Sequence, residues 1–585
     1  MNPVSLSIIG HAFVAIAGEM GVNLYRSAHS TIVREVRDLA TALLDADGNT
    51  VAMANWIPML LNAMEPAAKA IGRYYDFRTL RADEAVLTND PFDGGQHVND
   101  ILLFTPVIVD GEVIGLSCAN VHHLDLGGGA SANNAQATEV FQEGIVFPPM
   151  KITLDDDWED SPFGKFLRGN IRVPEKTIPD FNAQIAACRT GRARVAALCQ
   201  KYGREVILEF QREIQDYSER VIRGAIADLP DGEYAGEAYM EDDGSGAQGP
   251  FTVRVTVRIR GSDMVLDFSG TDPQAGGFIN SPLASTVATC RTTIMSILQA
   301  GHLLVNAGAF RPIQVVAPPG SLVNPSRPAA TRARTSTCYK IFDAVNFALA
   351  PVLPEKVIAP GFDCQTGISM AVRRGGRFSV LSEVLGAGIG ALHNQDGFDG
   401  MIMHLTNGMN TPVESVEVEF PFVEILRYGL VQDSGGPGTF RGGLGMERRY
   451  RILRDGVNFG LHSDRHRHAA AGLFNGQAGG SGACFVERGE QVLHLGSKVQ
   501  ATLQAGDILT VRSGGGAGYG PAEKRDPAMV ERDLREERIT PEHAAGAYTR
   551  AAAGIRRANR IPRPPREGAP ARARASKRRR SDGAG

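Results

Sequence analysis

The stretch "EAVLTNDPFDGGQHVNDILLFTPVIVDGEVIGLSCANVHHLDLGGG", residues 84–129, decides how the N-terminal part of the chain folds. Apolar runs alternate with loops along it, and a hairpin is predicted to turn at Asp110-Gly111. Two motifs at predicted strand ends pair an imidazole with a carboxylate three residues on: His97 with Asp100, and His122 with Asp125. Such pairs can converge on one point, and imidazole with carboxylate suits Zn²⁺, Mn²⁺ or Fe²⁺ better than Ca²⁺ or Mg²⁺.

A structural interpretation of the same residues stays open, because Asp in "NDP" and "FDGG" is typical of Asx turns. Spacing alone therefore does not decide between a polar turn and half of a metal site. Asp38 is a third candidate ligand, since it lies in a segment that otherwise has the pattern of an apolar strand, and a carboxylate there needs a reason.

Hydrophobic periodicity predicts an α+β, multidomain fold. The predicted elements are a helix over 3–28, a hairpin over 34–55, a helix within 56–75, one long helix over 180–229, alternating strands over 251–272, a helix over 283–310, short strands with Gly-rich connections over 350–520 and a charged helix over 526–548. The expected domains are a mixed α/β domain with the metal-site motifs (1–180), a helical connection (181–229), a β-rich domain with helix (230–350), a β-rich, Gly-rich domain (351–525), and a charged helix with a disordered basic tail (526–585).

Composition narrows the class of protein. The formal net charge of the 585-residue chain is −4, which makes nucleic acid an unlikely partner for the chain as a whole. The seven cysteines are widely spaced without a CxxC motif, which argues against a disulfide framework or thiolate zinc site and favours a reducing cytoplasm. The apolar N-terminus contains His11 and Glu19 and lacks a basic leader, so we predict neither a signal peptide nor a membrane span.

Three other segments invite a functional interpretation. The Gly-rich segments 433–445 and 506–521 contain neither a P-loop nor a G-x-G-x-x-G motif, so turns and packing are predicted for them. The cluster "HSDRHRH" at 462–468 could bind an anion, but a solvated or interface loop is favoured. The basic tail 556–585 is predicted to be a disordered, solvated segment, with an arm for nucleic acid or an acidic partner as the alternative.

Seven ordered blocks together resemble the hydantoinase B/oxoprolinase family over residues 5–525. This family includes the B-type subunit of ATP-dependent N-methylhydantoinase, the matching part of 5-oxoprolinase and the α-type subunit of acetone carboxylase. The blocks are "EMGVNLYRSAHSTIVREVRDLATALLDADG", "NDPFDGGQHVNDI", "HHLDLGG", "FSGTDPQAGGFINSP", "PPGSLVNPSRPAA", "DSGGPGTFRGGLG" and "GDILTVRSGGGAGYGP".

The resemblance implies a division of labour between two subunits. An actin-like ATPase partner, the A-type subunit, binds ATP and phosphorylates the carbonyl oxygen of a cyclic amide, and the B-type subunit holds a divalent metal (Zn, Mn or Fe) and completes the hydrolysis. The metal ligands that the resemblance implies are Asp38, His97, His122 and Asp125. It also implies that Asp100 and His123 are supporting or alternative ligands. As a mechanistic hypothesis, Glu35 or Asp100 is the general base, so that Glu35, Asp100 and His123 are the candidate catalytic residues.

The implied function is therefore that of a cytoplasmic subunit of an ATP-dependent cyclic amide hydrolase in a hetero-oligomer. Two alternatives remain: a subunit of an ATP-dependent ketone carboxylase, and a non-catalytic scaffold subunit. The family's early helix often reads "IPVHLG", whereas this chain reads "IPMLLN". Leu60 and Asn62 therefore leave the identity of the substrate open.

Overall fold

The computed structural model describes residues 1–131, 134–154, 158–298, 303–362, 366–402 and 404–549. The α-helices in these residues are α1 (Pro3–Ser27), α2 (Thr31–Arg34), α3 (Pro58–Ile71), α4 (Pro162–Asn170), α5 (Pro174–Tyr202), α6 (Arg204–Ala227), α7 (Leu283–Leu298), α8 (Arg334–Leu349), α9 (Val413–Glu419), α10 (Pro527–Arg535) and α11 (Pro541–Ala547). The strands are β1 (Leu39–Asp45), β2 (Thr50–Met53), β3 (Glu84–Thr88), β4 (Asp100–Val109), β5 (Glu112–His122), β6 (Met150–Thr153), β7 (Gly232–Asp242), β8 (Gln248–Arg260), β9 (Asp263–Asp267), β10 (Ile313–Val316), β11 (Thr366–Arg374), β12 (Arg377–Leu385), β13 (Val423–Leu430), β14 (Met446–Ile452), β15 (Val457–His462), β16 (Ala483–Arg488), β17 (Gln491–Leu495), β18 (Lys498–Leu503) and β19 (Ile508–Arg512).

The N-terminal sheet has six antiparallel strands in the order β2-β1-β5-β4-β3-β6. The predicted hairpin joins β4 to β5, and Asp110 and Gly111 adopt φ values of 52° and 83° at its turn. Positive φ at both central residues is what a two-residue hairpin turn requires, because its twist then matches that of the strands. The prediction of the β4–β5 hairpin is confirmed.

Helix α1 packs against α5 and β1, and it buries Phe13, Met20 and Leu24. By length and apolar composition this helix alone, among the described residues, could cross a membrane. The buried core helix of a soluble protein passes the same test, and the apolar face of α1 is in fact packed inside the protein.

Three helix predictions are corrected. The single helix expected over 180–229 is two helices, α5 and α6, because Gly203 interrupts them with a φ of 94°. The helix expected over 283–310 ends at Leu298, and Ala307–Phe310 forms a separate 3₁₀ turn. The charged helix over 526–548 is also split, because Glu537 adopts a φ of 57° and Pro541 starts α11. The predicted disorder of the basic tail lies outside the described residues.

The remaining strands form three sheets, in the orders β10-β9-β8-β7, β12-β11-β15-β18 and β13-β14-β19-β16-β17. Helix α8 packs on β7 and β8, and the last two sheets enclose one apolar core. In the Gly-rich segments backbones approach closely: a Cβ on Gly515 would lie 1.7 Å from the Ser434 carbonyl oxygen. The packing role predicted for these segments is confirmed. The α+β fold is as predicted, and the domain boundaries stay a prediction.

Candidate metal centre

The sheet end formed by β1, β4 and β5 brings three polar residues side by side. Asp100, the first residue of β4, pairs directly with His122, the last residue of β5. Asp38 directly precedes β1, and its carbonyl oxygen accepts the backbone N–H of His122 at 3.1 Å. His97 joins them through a tight turn, in which its carbonyl oxygen accepts the N–H of Asp100 at 2.9 Å. The local hairpin geometry therefore gathers Asp38, His97, Asp100 and His122.

Asp100 lies at the centre of this group. Its Oδ1 atom is 3.4 Å from His97 Nε2 and 3.4 Å from His122 Nδ1. Asp38 Oδ2 lies 3.5 Å from the same nitrogen of His122. One ligand atom each from His97, Asp100 and His122 lies within 4.8 Å of the others, and all three residues are buried. We call these three residues the His/Asp cluster.

A buried arginine fixes the electrostatics of the cluster. Arg334 donates from Nη2 to Asp100 Oδ2 at 2.6 Å. Burial opposes ionisation of Asp100, but Arg334 and then His122 hold the pKa of its carboxyl below the ordinary value. Burial, followed by the charge of Arg334, lowers the pKa of His97 well below its usual range. Asp100 is thus a carboxylate and His97 a neutral imidazole at neutral pH.

The donor set fits a divalent transition metal. Within the described residues, Asp100 Oδ1 is buried without a hydrogen-bond partner while it faces both imidazoles. Two imidazoles and a carboxylate are ligands for Zn²⁺, Mn²⁺ or Fe²⁺. The Asn99 backbone N–H donates to His97 Nδ1 at 3.1 Å, which leaves the imidazole proton on Nε2. Ligation through Nε2 requires this proton to leave, so the hydrogen bond from Asn99 must then change.

The other predicted site residues lie elsewhere. Asp125 Oδ1 accepts from Arg172 Nη1 at 2.9 Å and its Oδ2 accepts from the Arg172 backbone, and Asp125 neither belongs to the cluster nor lines the cavity beside it. Glu35 pairs with Arg34 at 3.0 Å and does not line the cavity beside the cluster. The geometry favours Asp100 over Asp125 as the carboxylate ligand and gives no support to Glu35 as a base.

His123 points away from the cluster although it follows His122 directly. Its Nε2 atom contacts Gln184 Oε1 at 3.1 Å, and the Gln184 amide nitrogen donates to two backbone carbonyls. Gln184 therefore accepts the proton of His123 Nε2. Burial lowers the pKa of His123, so the ring is a neutral part of the core. The catalytic role predicted for His123 has no geometric support here.

A cavity of 40 Å³ adjoins the cluster. Its walls combine polar and apolar side chains. They are Ile32, Asp38, Ile57, Met59, Leu60, His97, His122, Arg332, Arg334, Thr335, Gly367, Ser382, Glu383, Val384, Thr406 and His462.

Several of these wall residues were missed by the sequence analysis. Arg332 and Arg334 follow the fifth family block closely, and their RxR pattern was the available signal. His462 belongs to the 462–468 cluster, for which an interface loop was favoured, and it is buried in the cavity wall. Leu60, one of the two departures from the family pattern, lines the cavity and is 1% exposed.

Comparisons with known proteins agree with this fold. The chain is 31% identical over 565 residues to the B-type subunit of a putative D-/L-hydantoinase of Pseudomonas sp. (strain NS671), covering 94% of this chain and 95% of the relative. It superposes on a chain of the ATP-dependent caprolactamase from Pseudomonas jessenii with a TM-score of 0.86 and 25% identity, covering 95% of this chain and 100% of that chain. An acetone carboxylase chain in the nucleotide-free state shares the fold with a TM-score of 0.84 at 18% identity, over 96% of this chain and 84% of that chain.

The family assignment follows from a match over nearly the whole length. The hydantoinase B/oxoprolinase family model matches residues 2–522, and the chain belongs to that family. The resemblance drawn from the seven ordered blocks is therefore confirmed.

Proposed function

We propose that this chain is the B-type subunit of an ATP-dependent cyclic amide hydrolase and that the His/Asp cluster holds its divalent metal. The observation that carries the proposal is Asp100 Oδ1, a buried carboxylate oxygen that faces two imidazoles at the edge of a cavity. The names of a relative, the hydantoinase of Pseudomonas sp., and of a structural neighbour, a caprolactamase, support cyclic amides as the substrate class.

Each cluster residue has a chemical task. A divalent ion bound there would act as a Lewis acid and lower the pKa of a coordinated water. Arg334 keeps Asp100 ionised and oriented, and the buried His97 stays neutral and so offers a lone pair. Burial raises the pKa of Asp38, so this carboxyl beside His122 accepts a proton more readily than an exposed one. We propose Asp38 as a further ligand or as the proton acceptor.

The partner supplies the activation step. The sequence contains no P-loop, and the family resemblance implies an A-type, actin-like ATPase subunit that transfers a phosphoryl group from ATP to the amide oxygen. The proposed assembly is a cytoplasmic hetero-oligomer in which ATP binds to that partner.

The proposal is tested by metal analysis together with turnover. The full chain, co-purified with its partner, is assayed for metal content by mass spectrometry and for ATP-dependent ring opening of lactams and hydantoins. We expect His97→Ala and His122→Ala to lose both metal and turnover. His468→Ala is the matched control, because that side chain is 58% exposed and lies outside the cavity.

Full metal content and full turnover in both cluster variants would contradict the site assignment. Product formation that requires bicarbonate would instead identify a carboxylase.

A further inference from the structure

Helix α8 begins at the cavity wall without a side-chain cap. It spans 16 residues from Arg334, and its N-cap residue, Ala333, provides no side-chain hydrogen bond. The first turn of a helix carries a partial positive charge, although in α8 the backbone N–H groups of Arg334 and Ser336 already donate to the carbonyls of Thr331 and Ala333. Such an end attracts anions when it faces a ligand site. Arg334 and Thr335, the first two residues of α8, both line the cavity.

Two buried donors at this helix end lack partners in the described part of the chain. They are Arg334 Nε and Thr335 Oγ1, and their residues are 3% and 4% exposed. Burial of an unpaired donor is costly, so such groups usually indicate a ligand or water that the protein is built to receive. Because Nη2 of Arg334 already binds Asp100, its Nε remains available beside the His/Asp cluster.

Two guanidinium groups lie at this helix end, and Asp100 balances the charge of one of them, Arg334. Arg332 lines the same cavity and brings a second guanidinium. Two carboxyl groups also line the cavity: Asp38, whose pKa is raised by burial, and Glu383, which is bound by Arg448 and by the Tyr450 hydroxyl. Burial lowers the pKa of Arg332 to about 10, which still leaves it charged at neutral pH.

We infer that Arg334 Nε, Thr335 Oγ1 and the N-terminal end of α8 form a binding site for a phosphoryl group, with Arg332 beside it. The inference rests on the proposed function in one respect: the phosphoryl group is the one that the partner places on the amide oxygen. The metal cluster and this anion site flank one cavity, so the ring carbon that water attacks would lie between them. For the ring to open, the C–N bond must break after that attack, with the nitrogen taking up a proton and the carbon keeping the phosphoryl group as an acyl phosphate. A second water then releases inorganic phosphate, which shares the same chemistry.

The test is calorimetric titration of inorganic phosphate into the full chain, once with metal and once after chelation. Thr335→Val removes the hydroxyl at constant shape, and we expect phosphate to bind at least about 10-fold more weakly in both states. Thr335→Ser should restore binding. Ser336→Ala is the matched control, because Ser336 also has a buried, unpaired hydroxyl within the described residues but does not line the cavity.

Equal phosphate affinity in Thr335→Val and in the unmodified chain overturns the inference, provided that thermal unfolding shows both are folded. Competition between phosphate and the cyclic amide during turnover supports a site for the substrate's phosphoryl group, whereas non-competitive inhibition overturns that assignment. Phosphate binding without turnover of any cyclic amide would refute the proposed function alone. Turnover with no effect of Thr335→Val on phosphate would refute this inference alone.

Discussion

The substitutions Asp100→Asn and Asp125→Asn test which carboxylate would bind the metal together with His97 and His122. Asp100 and Arg334 are 1% and 4% exposed in their side chains and lie 2.6 Å apart. Removing one partner of such a buried pair costs about 3–5 kcal/mol, because the remaining charge is left uncompensated. Loss of supporting residues around a metal site already weakens affinity about 10- to 100-fold, so loss of a ligand carboxylate should cost at least about 100-fold.

Asp125→Asn should behave differently. Arg172, its partner, is 20% exposed, so water can solvate the guanidinium once the charge of Asp125 is gone. We expect a smaller loss of stability than in Asp100→Asn and an unchanged metal affinity.

The assay combines metal titration against a chromophoric chelator with urea denaturation of the metal-free proteins. The reasoning is refuted if Asp125→Asn loses metal while Asp100→Asn retains it. That result would favour Asp125 as the carboxylate ligand, as the family resemblance implies.

Three further predictions concern the cavity wall. Burial lowers the pKa of His462 from 6.5 to about 3, so between these pH values the unfolded chain binds a proton that the folded chain does not, and stability falls as the pH drops. In His462→Gln the slope of the unfolding free energy against pH should be smaller by about 1.4 kcal/mol per pH unit over this range. An unchanged slope would contradict the burial of this ring. In Gly367→Ala the new Cβ would lie 1.9 Å from His462 Cε1, so urea denaturation should show a free energy of unfolding lower by about 1–3 kcal/mol. Gly18→Ala is the control, because its Cβ would meet nothing within 4 Å, and it should lose no stability. Leu60→Ala should lower the free energy of unfolding by about 2–5 kcal/mol and shift kcat/KM in favour of substrates with bulkier rings. A kcat/KM that falls equally for every ring size would contradict a role for Leu60 as an apolar wall for the ring.

The pattern of the first 130 residues predicted the hairpin, its turn and the convergence of His97 with His122. It did not predict which carboxylate joins them. From the Asp110-Gly111 turn, a regular ladder pairs Val109 with Glu112 and would place Asp100 opposite Val121.

A register shift between Val107 and Ile108 moves the pairing by one residue, so that Asp100 lies opposite His122 instead. Residues directly opposite each other share one face of a sheet, whereas neighbours along a strand alternate. This bulge therefore places His122 beside Asp100 and leaves His123 to the core. Pro106, inside the central strand β4 and directly before the shift, was the available signal, because proline within a central strand typically marks a bulge. The contact of Arg334 with Asp100 could not be predicted, because it spans 234 residues of sequence.

The distance in sequence between Asp100 and Arg334 affects the order in which the site forms during folding. The proposed metal ligands lie between His97 and His122 on strands joined by a short hairpin, so closing the loop between them costs little entropy and can happen early in folding. Arg334 and His462 close the cavity only after the following parts of the chain have been made and have docked. We therefore expect a nascent chain to present its histidines to the metal pool in an open, solvated sheet, where ligand exchange is fast. Docking of α8 would then bury the ion and slow its dissociation. The metal in the mature protein would therefore depend on the metals available during synthesis.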